Sequence, residues 1–222
     1  MPYGTQIGKK FLTDGTAAAY PGNTVVSDAE PHMLAYQVMS RCLDMLRAAG
    51  LSGLFIPLPE DSYHMTVIRG VNDLVRDPLF WPPALPMDTP MTQVDDYMEA
   101  AINSVPAPGV LRMRFGEAKI TAEDFRISML PADESQARLL RTYRDQVADA
   151  IGLRLQGHDA YTFHITLAYT WRLPDDEQAA TIAALKAQMD QLLAAQPVVK
   201  LPPPHAAFYR DMLSFSAKRI ER

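Results

Sequence analysis

The chain has 222 residues, of which 48% are hydrophobic and 21% charged, with a formal net charge of −5. That length buries a substantial core, and the balance excludes disordered, collagen-like and coiled-coil classes. The acidic total also argues against a protein that grips many phosphates of a long duplex nucleic acid, since such affinity is built from many Lys and Arg contacts, whereas a small anionic substrate needs only a local cluster of donors.

Met1 to Lys10 holds no apolar run of signal-peptide length, and no stretch approaches the roughly 18 apolar residues of a membrane span. A cytoplasmic protein without a membrane partner is therefore expected. A strand is predicted at Thr24 to Val26, then a helix entered at Asp28 to Pro31 with the stripe Leu34, Val38, Cys42, Met45, Ala49 and stopped by Gly50. Cys42 is the single cysteine, so it forms no internal disulfide or zinc cluster, and its place in the stripe assigns it to packing.

Strand-like runs follow at Leu54 to Leu58 and Tyr63 to Arg69. Asp77 to Pro90 carries Trp81 and prolines at 78, 82, 83, 86 and 90, which predicts an irregular insertion, either a lid or a surface loop, before a short helix near Thr92 to Asn103. Strands are expected at Val110 to Ile120 and Phe125 to Leu130, then a helix from Asp133 to Gly152 with the stripe Leu140, Tyr143, Val147, Ile151. A strand at Tyr161 to Tyr169, a helix from about Asp175 to Pro197 and a last strand at Ala206 to Phe215 complete the α+β reading.

The two halves repeat one plan. Strand, helix to a stopping glycine, short strand and histidine-bearing strand recur, with Leu153 to Leu155 as the second short segment; His64 follows Gly50 by 14 residues and His164 follows Gly152 by 12. This predicts a duplicated β-α-β-β unit, with helices on one side and a groove between antiparallel sheets on the other. Residues 1–222 are read as a single domain: lobe one at about 20–70, the Pro-rich insertion at about 71–108, and lobe two with the C-terminal strands at about 109–222.

The histidine strands read Tyr63-His64-Met65-Thr66-Val67-Ile68 and Phe163-His164-Ile165-Thr166-Leu167-Ala168. Side chains alternate along a strand, so Phe163, Ile165, Leu167 and Tyr169 are assigned to the core, and His164, Thr166, Ala168 and Thr170 to the other face. In the first copy Tyr63, Met65 and Val67 face the core while His64 and Thr66 turn away. Paired His-x-Thr strands on this plan resemble the 2H phosphoesterase superfamily, which includes LigT-type RNA 2′,3′-cyclic phosphodiesterases and enzymes of 2′,5′-linked phosphodiesters. The run Pro21-Gly22-Asn23-Thr24-Val25-Val26 is similar to a mainly bacterial and fungal branch whose substrate is unassigned.

Opening a cyclic phosphodiester needs a base for the attacking water and an acid for the departing sugar oxygen, and two histidines supply both near neutral pH without a metal or cofactor. Thr66 and Thr166 share their histidines' faces and can donate to non-bridging phosphate oxygens; the resemblance implies the same roles at these four positions. The expected function is thus a metal-independent phosphodiesterase acting on a cyclic or 2′,5′-linked phosphodiester of a nucleotide or RNA end. A non-catalytic nucleotide- or phosphate-binding module and a cyclic phosphodiesterase of a non-nucleotide metabolite stand as alternatives.

A metal site is the competing use of the histidines, which His158 and Asp159 could complete. No Gly-x-Ser-x-Gly elbow or Gly-rich phosphate loop is present. Arg112 and Arg114 leave the core face together, as do Arg126 and Ser128 opposite Phe125, Ile127 and Met129. A strand pair of this kind can aim one guanidinium at a phosphate, which makes Arg126 a substrate-binding candidate, although a solvated sheet face is the favoured account of these arginines. His32 and His205 read as surface or capping residues, and neither Tyr161, by its core parity, nor Trp81, in the insertion, is assigned to the site.

Overall fold

The computed structural model describes residues 1–215 and 217; the remaining positions up to 222 lie outside the described residues. An eight-stranded antiparallel sheet runs in the order β7-β4-β5-β6-β3-β1-β8, with β2 added beside β6. In chain order the elements are β1 (Gly22–Asp28), α1 (Leu34–Ala48), β2 (Phe55–Pro57), β3 (His64–Asn72), α2 (Met91–Asn103), β4 (Leu111–Ile120), β5 (Asp124–Pro131), α3 (Glu134–Ile151), β6 (His164–Thr170), α4 (Asp176–Ala194), β7 (Val199–Leu201) and β8 (His205–Tyr209). The α+β class is observed, and the duplication holds for the first strand, helix and histidine strand of each half, whose ladders join where the histidine strands meet.

Local chemistry accounts for the helix limits. Asp133 caps α3 by accepting from Gln136 N, and Gly152 ends it at φ 68°, a left-handed conformation that costs glycine little. Asp175 and Gln178 form a reciprocal capping box at the start of α4. The helix α1 begins later than the Asp28 signal suggested, after Met33. Its apolar stripe buries Val38, Met39, Cys42 and Leu46 in the core, and burial pushes the Cys42 thiol up to about 12, an unreactive packing residue.

Each half's long helix reaches the other half's histidine strand: α1 packs on β6, and α3 packs on β3. The lobes therefore share one core, which contains Met65, Val67, Phe125, Ile127, Ile165 and Leu167. The duplication is sharpest in strand register. In β1–β3 the pairs are Thr24–Arg69, Val25–Ile68, Val26–Thr66, Ser27–Met65 and Asp28–His64. In β5–β6 they are Asp124–Tyr169, Phe125–Ala168, Arg126–Thr166, Ile127–Ile165 and Ser128–His164, the same list displaced by 100 residues.

Both ladders carry a bulge at the same place, with Val67 and Leu167 as the extra residue. A bulge frees a backbone carbonyl, and each is taken by a group from the opposite half: buried Arg144 of α3 donates to Val67 O, and Leu58 N donates to Leu167 O at 2.9 Å. The bulges also flip the alternation. Ile68 and Ala168 turn to the core, and Arg69 and Tyr169 turn to the groove, which corrects the core assignment of Tyr169 and the groove assignment of Ala168.

Two further expectations change, and one strand is additional to them. Leu153 to Leu155, the second-half counterpart of β2, forms no strand and pairs with no other strand among the described residues. The last strand stops at Tyr209 rather than Phe215, and a short turn carries Met212 and Phe215 back over the groove. β7, three residues long, was too short to signal itself in the sequence.

The insertion is packed by its own contacts, and its Phe80 lines the groove cavity. Arg76 donates to Met87 O at 2.6 Å and Thr89 O at 2.9 Å and lies 4.5 Å from the Trp81 ring; Trp81, 2% exposed, donates from Nε1 to Pro86 O. Helix α2 is tied to the sheet through buried Asn23, whose Nδ2 donates to Asp95 Oδ1 and whose Oδ1 accepts from Val71 N, both at 2.9 Å. Gly70 permits this contact, since a Cβ there would lie 2.3 Å from Asn23 Oδ1. Asn23→Ala removes the hydrogen bond to the buried Val71 N–H and one of the bonds to Asp95, and is expected to lower unfolding stability by about 1–3 kcal/mol in urea titration; an unchanged midpoint would contradict this role.

Candidate active site

On the groove face the antiparallel pairing of Met65 with Ile165 sets the geometry. It places His64 across from Thr166 and Thr66 across from His164, so the histidines stand on a diagonal whose residues lie about 7–8 Å apart in antiparallel pairs, with Cβ atoms somewhat closer. The four side chains line one cavity of about 600 Å³, with Arg126, Arg69, Lys10 and Asp124 in the same wall and Tyr20, Tyr161, Tyr169, Phe80 and Phe215 among its aromatic residues. Neither threonine hydroxyl has a hydrogen-bond partner among the described residues, which leaves both able to donate into the cavity.

The two histidines are held in the same way. His64 Nδ1 lies 2.7 Å from Ser62 O and His164 Nδ1 lies 3.2 Å from Thr162 O, each carbonyl two residues upstream. A carbonyl only accepts, so Nδ1 carries the proton and Nε2 is the nitrogen left to exchange protons with a ligand. Burial lowers the pKa of both rings below the ordinary value, and the backbone acceptors partly oppose it.

Their surroundings differ. Asp28, opposite His64 in the register, raises the His64 pKa, while His164 and His205 lower it. Ser128 takes the Asp28 position beside His164, where Arg126 and Lys119 lower the pKa and Glu123 raises it. Phe215 covers His64 at a ring separation of 4.2 Å. His205 is not a capping residue: its Nε2 pairs with Asp28 Oδ2 at 2.8 Å, chiefly through which its pKa is raised.

Arg126 faces the groove opposite Thr166, its Nε 3.2 Å from Asp124 Oδ1. Asp124 is buried, and burial pushes its carboxyl up to about 6, opposed by Arg126 and Lys10. Arg112 is exposed and pairs with Asp133, away from the cavity. Trp81 is buried under Arg76 and does not reach a ligand, whereas Tyr161 does line the cavity, because β6 begins only at His164 and strand parity does not apply to it.

His158 and Asp159 do not join the histidine pair. They cluster with Asp145 beside a second cavity of about 500 Å³, and Arg154 already bridges Asp145 and Asp159 at 2.8 and 2.7 Å. The guanidinium occupies the place a cation would take, so this cluster is a satisfied ion network.

A family model named 2H-phosphodiest and described as a domain of unknown function (DUF1868) matches residues 10–123, just over half of the chain. The chain belongs to this 2H-phosphodiesterase family. The matched span contains Lys10, His64 and Thr66 and stops just before β5. A crystal structure described as a conserved protein of unknown function, ATU0111 from Agrobacterium tumefaciens str. C58, is 28% identical, with a TM-score of 0.86 over 97% of this chain and 91% of that one. The crystal structure of TT0787 of Thermus thermophilus is 17% identical over 84% of this chain and 85% of that one, with a TM-score of 0.40. None of the curated proteins matches the chain. Family membership supports a phosphodiesterase-type activity for this 2H domain, and among the described residues no helix is long and apolar enough to cross a membrane.

With both rings shifted downward, the ligand-free 2H domain is expected to hold His64 and His164 neutral at pH 7, as the Nδ1–H tautomer, and to protonate them only as pH falls below about 6.5. Asp28→Asn removes the carboxylate that raises His64 and should lower that ring's midpoint further while leaving His164 nearly unmoved. Nitrogen-15 NMR titration reads both effects, and a midpoint above 7 for either ring would contradict the assignment.

Proposed function

We propose that the protein is a metal-independent phosphodiesterase that opens a 2′,3′-type cyclic phosphodiester, or cleaves a 2′,5′-linked one, on a nucleotide or RNA end. The observation that carries this reading is the repeated register, which sets two Nδ1-anchored histidines diagonally across one cavity with a threonine beside each. An in-line displacement at phosphorus requires this division: one imidazole acts on the attacking oxygen and the other on the departing oxygen, from opposite sides.

In the reaction, a neutral Nε2 takes a proton from water as the water oxygen bonds to phosphorus. The protonated Nε2 of the other ring gives its proton to the sugar oxygen as the P–O bond breaks, so a phosphomonoester and a hydroxyl result. The bound phosphodiester anion supports the one protonated ring that burial alone disfavours. Thr66 and Thr166 donate to the non-bridging oxygens, and Arg126, opposite Thr166, adds a charged donor. The two imidazoles supply both proton transfers, so the reading needs no metal ion. The aromatic side chains of the wall offer a face for a nucleobase.

Turnover of 2′,3′-cyclic nucleotides or 2′,5′-linked dinucleotides in EDTA tests the proposal. His64→Ala and His164→Ala are each expected to lower kcat by about 10²–10⁴-fold with the fold intact by circular dichroism, and the native pH profile should be bell-shaped. Undiminished turnover in either variant would falsify the two-histidine mechanism.

A further inference from the structure

The duplication provides an internal control on which side chains the fold itself requires. At the positions where the second half places Asp124 and Arg126 on the groove wall, the first half places Thr24 and Val26 in the same register beside the same bulge. The ladder therefore forms without charge there. The charges of the second half are in addition buried or half-buried, and they are only partly satisfied by each other. Asp124 is 3% exposed, and its Oδ1 receives no hydrogen bond although Arg126 Nε lies 3.2 Å away.

A third charge arrives from outside the duplicated units. The turn between Gly8 and Ala18 is closed by Gly8 N to Phe11 O at 2.7 Å, Leu12 N to Thr16 O at 2.8 Å and Ala18 N to Lys10 O at 2.9 Å. Phe11 is buried 4.9 Å from the Tyr169 ring and anchors this turn on the groove. Lys10 is thereby folded inward, with Nζ 5.1 Å from the centroid of Tyr169 and 5.7 Å from that of Tyr20. Among the described residues it makes no ion pair. A lysine serving only solubility extends into water; this one is half-buried and held over two aromatic faces.

Arg126 stands opposite Thr166, and Asp124 and Lys10 lie a strand step beyond it beside Tyr169, so the three charges form one end of the cavity. Two residues of a strand span about 6.6 Å, so a group held there is about one sugar unit from a phosphorus held between the histidines. We propose that this end of the cavity is a second anion site, in which Lys10 binds a further phosphoryl group of the substrate, Arg126 reaches between that group and the phosphate beside Thr166, and Asp124 is the counter-ion of Arg126 until the group arrives. The inference rests on the hydrolase reading for its substrate class, a phosphodiester carrying a separate terminal phosphate. Glu123 and Arg69 are the other charged groups that bear on Lys10, and Glu123 also bears on Asp124.

The test compares uridine 2′,3′-cyclic phosphate with the same compound phosphorylated at the 5′ position. The expected result is a kcat/KM ratio favouring the 5′-phosphorylated form by tenfold or more, carried mainly by KM. That ratio should fall toward one in Lys10→Met and be kept or raised in Asp124→Asn, which removes a competing carboxylate. A ratio near one in the native chain, or an equal loss on both compounds in Lys10→Met, overturns the second site and leaves hydrolysis standing. Calorimetric binding of both compounds to the His64→Ala/His164→Ala double variant separates the two readings. Tighter, Lys10-dependent binding of the 5′-phosphorylated compound there, with no turnover by the native chain, supports the second site and sinks the hydrolase reading.

Discussion

The pairing of Met65 with Ile165 is the constraint on which the site depends, because through it the two histidine strands of a duplicated chain become neighbours in one sheet. Antiparallel pairing about that point crosses each histidine with the other half's threonine, so a symmetric quartet follows from backbone register alone. Side-chain contacts then fix the rings, and the Nδ1 bonds to Ser62 O and Thr162 O leave the two Nε2 atoms facing the cavity. The bulges at Val67 and Leu167 lock this junction, since each freed carbonyl is satisfied from the opposite half, by Arg144 or by Leu58 N. A register slip by one residue would turn the histidines into the core and strand both carbonyls at once.

Onto that symmetric frame the sequence writes an asymmetric environment. One histidine faces Asp28, itself paired with His205, and is covered by Phe215; the other faces Ser128 and lies near Arg126 and Lys119. Burial lowers the pKa of both rings; Asp28 opposes it at His64, where His164 and His205 add to it, and Glu123 opposes it at His164, where Arg126 and Lys119 add to it. The further charges at Asp124 and Lys10 continue the asymmetry along the second half only.

Much of this was legible in the residues. Apolar periodicity with Gly50 and Gly152 as stops located the helices, and the repeated aromatic-His-apolar-Thr-apolar run exposed the duplication and the groove faces. Other features carry no compositional mark. Nothing in Thr66-Val67-Ile68 or Thr166-Leu167-Ala168 announces a bulge, so simple alternation put Tyr169 in the core when it lines the cavity. The counterpart of β2 at Leu153 to Leu155 shares apolar composition with a strand yet finds no ladder partner. Lys10 and Phe215 lie far from the histidines in sequence and reach the cavity only through tertiary packing, and His205 looked like a surface residue because its partner Asp28 sits 177 residues away. Arg126 was readable by parity, but its distinction from Arg112 required knowing which strand lies next to β6.

The most direct test of the central claim, that the two halves act on one phosphorus, is a crystal structure with a uridine–vanadate complex as mimic of the five-coordinate state. The account predicts vanadium between the two imidazoles, one apical oxygen on each Nε2 and equatorial oxygens on the Thr66 and Thr166 hydroxyls. Vanadate bound to one histidine alone, or seated at Arg141 and His158 in the second cavity, would contradict it.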